Sequence, residues 1–233
     1  RTFEMSPINF YGSRSCQKMA YVSYADYAHM LFVRASVGYD TRYSNLSRTK
    51  SVDRHGMTHY STVESDNNSH GIMALVTISK RLEWLKGTFN ARCVLSQNTS
   101  SMYQNGINTE FKTGSMQTSA SLNSNVWTWL DIAYRAQHSI NALEISAMKN
   151  RTKLLIQELE LTLMPTDALN FSLSAEHYAS YFNDGARKHT FFADFSCLYK
   201  YHKTDFTLHL NNILNQRYYN NATYNNLSST YNQ

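Results

Sequence analysis

Two imidazoles four residues apart, in His55-Gly-Met-Thr-His59, are the first pair in this sequence whose spacing could hold a metal ion. On a helix they would share a face, and a zincin would add a glutamate directly after the first histidine. Gly56 stands in that place. On a strand the same side chains also share a face but lie ~13 Å apart, too far to chelate one ion. Carboxylates come next: Glu158 and Glu160 share a strand face two residues apart, and Asp194 and Asp205 are expected on neighbouring strands, pointing inward. A water-filled lumen accounts for all four without an acid–base pair. There is no phosphate-binding glycine loop, no nucleophile elbow and no Ser, His and Asp set with a meaningful spacing. The expectation is a protein that is not an enzyme and carries no cofactor.

Cys16, Cys93 and Cys197 are widely spaced and in no CxxC pair, so neither a disulfide framework nor a zinc site is indicated. Asn-x-Ser/Thr triplets at Asn45, Asn67, Asn98, Asn150, Asn170, Asn221 and Asn226 reflect abundance, since the chain holds 22 Asn, 27 Ser and 20 Thr. The net charge of +5 comes from Lys and Arg spread along the chain without a cluster, so no nucleic-acid partner is expected.

The elements that position these residues are strands. Asn, Ser and Thr make up nearly a third of the 233 residues, and they compete with helical hydrogen bonding. Only 17% of residues are charged, which excludes a disordered polyelectrolyte. Mean hydropathy is −0.49, and the longest apolar run, Ile72 to Val76, is far below the ~20 residues of a spanning helix. A transmembrane β-barrel survives that test, because its strands turn an apolar residue outward only at every second position.

Period-two alternation is the strongest local signal. Leu85, Gly87, Phe89, Ala91, Cys93 and Leu95 form one row against Lys86, Thr88, Asn90 and Arg92. Leu169, Phe171, Leu173 and Ala175 alternate with Asn170, Ser172, Ser174 and Glu176, and Phe206, Leu208 and Leu210 with Asp205, Thr207 and His209. Extended along the chain, the pattern predicts about ten strands, near 28–42, 56–66, 70–80, 86–97, 105–120, 126–138, 151–164, 168–181, 188–200 and 203–215. Segment 139–163 also fits an amphipathic helix, but Leu155, Leu159, Leu161 and Leu163 hold the period-two register, which favours a loop followed by a strand. Short links at 80–85, 122–126, 164–167 and 201–203 alternate with longer polar ones at 98–105, 139–150, 183–188 and beyond 216, the rhythm of an outer-membrane barrel. Trp84, Trp127, Tyr199 and Tyr201 fall beside the short links, where a membrane interface would hold them.

At Phe206-Thr-Leu-His-Leu-Asn-Asn-Ile-Leu-Asn-Gln-Arg-Tyr-Tyr219 the sequence resembles the late-barrel segment of TonB-dependent outer-membrane receptors, in which an alternating strand runs into Asn-Leu-Phe-Asn and then a Tyr. Asn212, Ile213, Leu214, Asn215 and Tyr218 occupy that pattern, with Ile213 for the usual Leu and Leu214 for the common Phe. Tyr24-Ala25-Asp26-Tyr27, Ile78-Ser79-Lys80, His177-Tyr178, Phe192-Ala193-Asp194, Tyr199-Lys200-Tyr201 and the closing Tyr224 to Ser228 are similar to the branch that carries a carboxypeptidase-regulatory-like domain before its plug.

The resemblance implies an all-β, antiparallel transmembrane barrel of about 22 strands, of which this chain would supply about ten as one partial barrel, 1–233, without plug or N-terminal regions. It implies residence in the outer membrane, contact with the lipid bilayer, energised import of a large nutrient, and coupling to the TonB complex through regions absent from this chain. A surface lipoprotein is a possible partner, and no ligand residue can be carried over. Two other readings stay open: a passive or structural barrel, porin- or adhesin-like, whose ten strands close on themselves; and a soluble secreted β-sandwich that binds carbohydrate, in which Phe171, Leu173, Phe206 and Leu208 would be buried.

Overall fold

The structure, a computed structural model, describes residues 12–52, 58–104, 107–145, 148–182, 185–216, 221–224 and 229–232. Ten strands run in chain order: β1 (Ser13–Asp26), β2 (Leu31–Val52), β3 (Thr58–Leu82), β4 (Gly87–Gln104), β5 (Ile107–Trp127), β6 (Leu130–Ile145), β7 (Met148–Thr166), β8 (Leu169–Tyr181), β9 (Arg187–Tyr201) and β10 (Thr204–Leu210). Each pairs antiparallel with the next in one sheet, ordered β1 to β10, while β11 (Asn221–Tyr224) and β12 (Ser229–Asn232) form a separate hairpin. The sheet is open, and β1 and β10 each pair on one side only among the described residues.

Register joins the alternating rows into two continuous faces. Val33 lies opposite Ile78, Ile78 opposite Ala91, Ala91 opposite Ala120 and Ala120 opposite Ala136. On the later strands Leu161 lies opposite Leu173, Leu173 opposite Phe195 and Phe195 opposite Leu210. This is the apolar face. One residue away, Arg34, Thr77, Arg92, Ser119 and Gln137 face one another in the same order, and Thr162, Ser172 and Ser196 continue the polar face. A one-residue slip anywhere would exchange the faces, so the alternation fixes the register.

No second layer covers the apolar face. Leu173, Phe206 and Leu208 are exposed and Phe171 is half-buried, and Ala179 is the single fully buried apolar side chain among the described residues. The surface is 17316 Å², against about 10,800 Å² for a compact soluble protein of this mass. The soluble sandwich is thereby corrected, because its inward rows would need a facing sheet. A ten-stranded barrel closed on itself is likewise not what the described strands form.

Strand limits differ from the sequence reading in an ordered way. β1 was not expected; apolar Met19 and Tyr21 share its polar face, so its alternation is blurred. Segments expected as two strands, 56–66 and 70–80, form the single β3, because the break expected at Asn67-Asn68-Ser69 is paired strand opposite Ser44, Tyr43 and Arg42, and Ser65 and Asp66 are absorbed in a bulge opposite Asn45. The long links expected at 98–105 and 139–150 are largely strand, with β4, β5, β6 and β7 running on past the apolar rows, and no helix forms among the described residues of 139–163. The link expected at 122–126 is strand too, and the chain turns at Thr128-Trp129. β10 stops at Leu210 rather than continuing to 215.

Between β3 and β4 lies one 3-10 turn, Glu83–Leu85, ended by Lys86 in the left-handed region at φ 44°. Ser124 of β5 donates its hydroxyl to the Leu85 carbonyl. A Cβ on Gly87 would sit 2.5 Å from the Asn123 carbonyl oxygen and 3.0 Å from Ser124 Cβ, both on the neighbouring strand. Gly87→Val is therefore expected to cost about 1–3 kcal/mol by overpacking, read as a lowered urea midpoint of the refolded barrel, with Gly38→Val, which meets nothing closer than 3.8 Å, as the milder comparison.

Candidate functional site

The polar face is concave. Ser23 on β1 and Arg135 on β6 line one pocket of about 630 Å³, although five strand spacings separate them, ~24 Å on a flat sheet. Arg34 and Arg92 belong to one cross-strand row with Thr77 between them, and Ser119 continues it on β5. Arg135 lies opposite Ser121 in the adjoining row, which includes Asn90. All three guanidinium groups are exposed into the pocket. Arg135 Nη1 donates to Glu158 Oε2 at 2.7 Å, whereas Arg34 and Arg92 make no ion pair among the described residues. Guanidinium forks interleaved with hydroxyls and an amide suit anionic or polyhydroxylated solutes.

Acidic residues occupy the other half of this face. Glu158 lies opposite Glu176 and beside Arg135, and Tyr178 donates its hydroxyl to Glu176 Oε2 at 2.9 Å. Glu160 is one step along, opposite Ser174. Asp194 and Asp205 do share the concave face, but Asp205 lies opposite Lys200, six residues from Asp194, so roughly 20 Å separates them. Asp194 instead accepts the Asn212 N–H at 2.6 Å. The Arg135–Glu158 pair is open to solvent, with side-chain exposures of 66% and 37%, so Glu158→Gln is expected to change stability by less than about 1 kcal/mol, checked by urea titration.

The four aromatic residues singled out by the sequence lie at one rim, beside the turns. Trp84 is on the 3-10 turn and is 77% exposed, Trp127 ends β5, Tyr201 ends β9, and Tyr199 is two residues before it on the same face. Trp127 stacks on Trp129 at 5.3 Å and Tyr199 on Tyr201 at 6.3 Å. Trp129, Tyr24 and Tyr27 complete the rim, and all three are exposed. Sequence reading missed Trp129 because the turn was placed too early, and it named Tyr24 and Tyr27 for the family likeness but not as rim residues because β1 was not recognised. At the same rim the Asp26 carboxyl lies 2.7 Å from His29 Nδ1 and accepts the His29 N–H at 3.1 Å. These bonds hold its pKa below the usual carboxylate value, so this tie across the turn is present at neutral pH and fades as acid protonates the carboxyl.

The Asn-Ile-Leu-Asn motif is a turn. Asn212 and Asn215 take left-handed backbone angles, φ 52° and 51°, which asparagine tolerates better than most residues. The Asn212 side chain donates to the Gln216 carbonyl at 2.9 Å and accepts the Gln216 N–H at 2.8 Å, and the Asn215 N–H reaches the Asn212 carbonyl at 2.8 Å. Ile213 donates its N–H to the Ala193 carbonyl at 2.8 Å, tying the turn to β9. Tyr218 and His55 lie outside the described residues, and of His59 only its place in β3 is described. No group of three potential metal ligands occurs among the described residues.

No protein-family model matches the chain, and no curated protein matches it by sequence. Solved structures do. The FrpB iron transporter from Neisseria meningitidis (F3-3 variant) aligns over 85% of this chain and 37% of its own length, with a TM-score of 0.56 and 8% identity. The translocator domain of autotransporter NalP, also from Neisseria meningitidis, aligns over 82% of this chain and 77% of its own, with a TM-score of 0.27 and 13% identity. The chain spans little more than a third of the FrpB length. The ten-stranded sheet has the outer-membrane β-barrel fold.

Proposed function

We propose that this chain is a barrel portion of a TonB-dependent outer-membrane receptor, of the branch with a carboxypeptidase-regulatory-like domain, which captures a large nutrient and imports it with energy from the TonB complex. The observation that carries the reading is the division of the sheet into a mainly apolar convex face and a mainly polar, charged concave face. A barrel wall between lipid and an aqueous lumen needs that division. The fold likeness to the FrpB transporter and the open edges of the sheet support an arc of a large barrel over a small closed one. On this reading the chain resides in the outer membrane, Trp84, Trp127, Tyr199 and Tyr201 sit at one headgroup level, and the Asn212 to Asn215 turn carries the family motif. Contact with the TonB complex belongs to regions outside this chain, and a surface lipoprotein is a further candidate partner. The lumen acts by binding and passage, with no catalytic step and no cofactor.

The test is conductance of the full-length protein that contains this chain, inserted into planar bilayers. A plug-gated importer is expected to show no steady open channel. A steady, voltage-insensitive conductance would replace import with passive diffusion.

A further inference from the structure

We propose that the convex face of β7–β9, at the rim opposite the tryptophans, is a binding site for an anionic phospholipid-type lipid, with its phosphate on Lys153 and Arg187. Lys153 on β7 lies opposite Tyr181 on β8, and Tyr181 opposite Arg187 on β9, so two cations flank one aromatic ring in a single cross-strand row. The Arg187 guanidinium carbon stands 5.8 Å from the Tyr181 ring centre. Lys153 and Arg187 are both exposed, and Arg151 adds a third basic residue one step farther along the convex face of β7. From Lys149 to Leu163 on β7, and throughout β8 and β9, the convex positions hold no Asp or Glu.

Polarity then falls off along the strands in the order of a lipid molecule. Next to the cationic row, His189 packs edge-on to Tyr181 at 6.2 Å and against the His177 ring, with 3.1 Å between ring nitrogens. His177 lies 3.0 Å from Gln157 Oε1, and Gln157 Nε2 donates to the Tyr134 hydroxyl at 2.8 Å. This chain of hydrogen-bonding groups borders a shallow groove of about 260 Å³ that Leu159, Phe191 and Leu214 also line. Beyond it the convex face is Leu161, Leu173 and Phe195. Cations for a phosphate, donors and acceptors for an ester or glycosidic linkage, and an apolar strip for acyl chains thus follow one another. Each basic residue at such a surface strengthens attraction to anionic lipid severalfold.

The inference rests on the membrane-spanning reading, and the test separates the two. Full-length protein is purified in detergent and titrated with phosphatidylglycerol or phosphatidylcholine while retained lipid and oligomeric state are read by native mass spectrometry. Wild type is expected to retain phosphatidylglycerol with a preference of roughly ten-fold or more. The pair Lys153→Gln with Arg187→Gln should abolish the preference, and the pair Lys153→Arg with Arg187→Lys should keep it, which excludes misfolding as the cause. Equal retention of both lipids by wild type, or an unchanged preference in the glutamine pair, overturns the site. Displacement by millimolar inorganic phosphate would make it a simple anion site, and a dimer that the glutamine pair dissociates would make the occupant a second copy; either overturns the lipid assignment. Failure to insert into lipid nanodiscs would count against the membrane reading instead.

Discussion

Arginine at Leu173 is expected to cost about 2–4 kcal/mol of stability in a bilayer, while arginine at Ser172, the next residue, is expected to change it by no more than about 0.5 kcal/mol. Leu173 lies on the convex face between Leu161 and Phe195, and Ser172 on the concave face between Thr162 and Ser196. The convex row of β8 is apolar from Leu169 to Ala175, six residue steps or ~20 Å of strand, with His177 at its far edge. Leu173 is near its middle and Leu169 at its edge. The cost should therefore shrink to about 0–1 kcal/mol for Leu169→Arg. Urea midpoints of the refolded protein in phosphatidylcholine vesicles check all three. Equal penalties at Leu173 and Ser172 would show that the convex face does not meet lipid.

The second large effect concerns the 233-residue chain alone. In water without detergent it is expected to aggregate rather than remain monomeric. Two edges, β1 and β10, are unpaired on one side among the described residues, and edges of that kind recruit further strands. The exposed area exceeds that of a compact protein by more than half, and convex-face residues such as Leu173, Phe206 and Leu208 are among the exposed ones. A bilayer solves the second problem and leaves the first, because unpaired N–H and C=O groups within lipid cost several kcal/mol each. Light scattering after size exclusion decides it: a monodisperse, folded monomer without detergent would refute the expectation.

Sequence alone shows the fold where the environment is two-sided. The rows through Phe89 to Leu95, Leu169 to Ala175 and Phe206 to Leu210 alternate with a period of two, and the structure places all three in strands of one sheet with an apolar and a polar face. The strand portions at 98–104 and 139–145 were harder to read: Asn98 to Ser101 is a run of polar residues that looks like a loop, and Ile140, Ala142, Leu143 and Ile145 do not keep a period of two, so that segment also fits a helix face. The concave pocket was equally hidden. Arg34 and Arg92 are 58 residues apart and share nothing local; only the β2–β3 and β3–β4 registers bring them into one row. Motif residues were easier, because Asn212 and Asn215 act within five residues of themselves.

Strand length varies strongly around the sheet, from 25 residues in β3 and 22 in β2 to 7 in β10. At ~3.3 Å per residue and a tilt near 40°, β3 rises ~60 Å, about twice the hydrocarbon thickness. The surplus makes a palisade on one sector of the wall that stands in water. The bulge where Ser44 pairs with Asn67 and Leu46 with Glu64 interrupts the ladder near its base. The extra length of β2 and β3 thus raises one sector of the sheet well past its neighbours, at the end of these strands far from Arg34 and the arginine pocket.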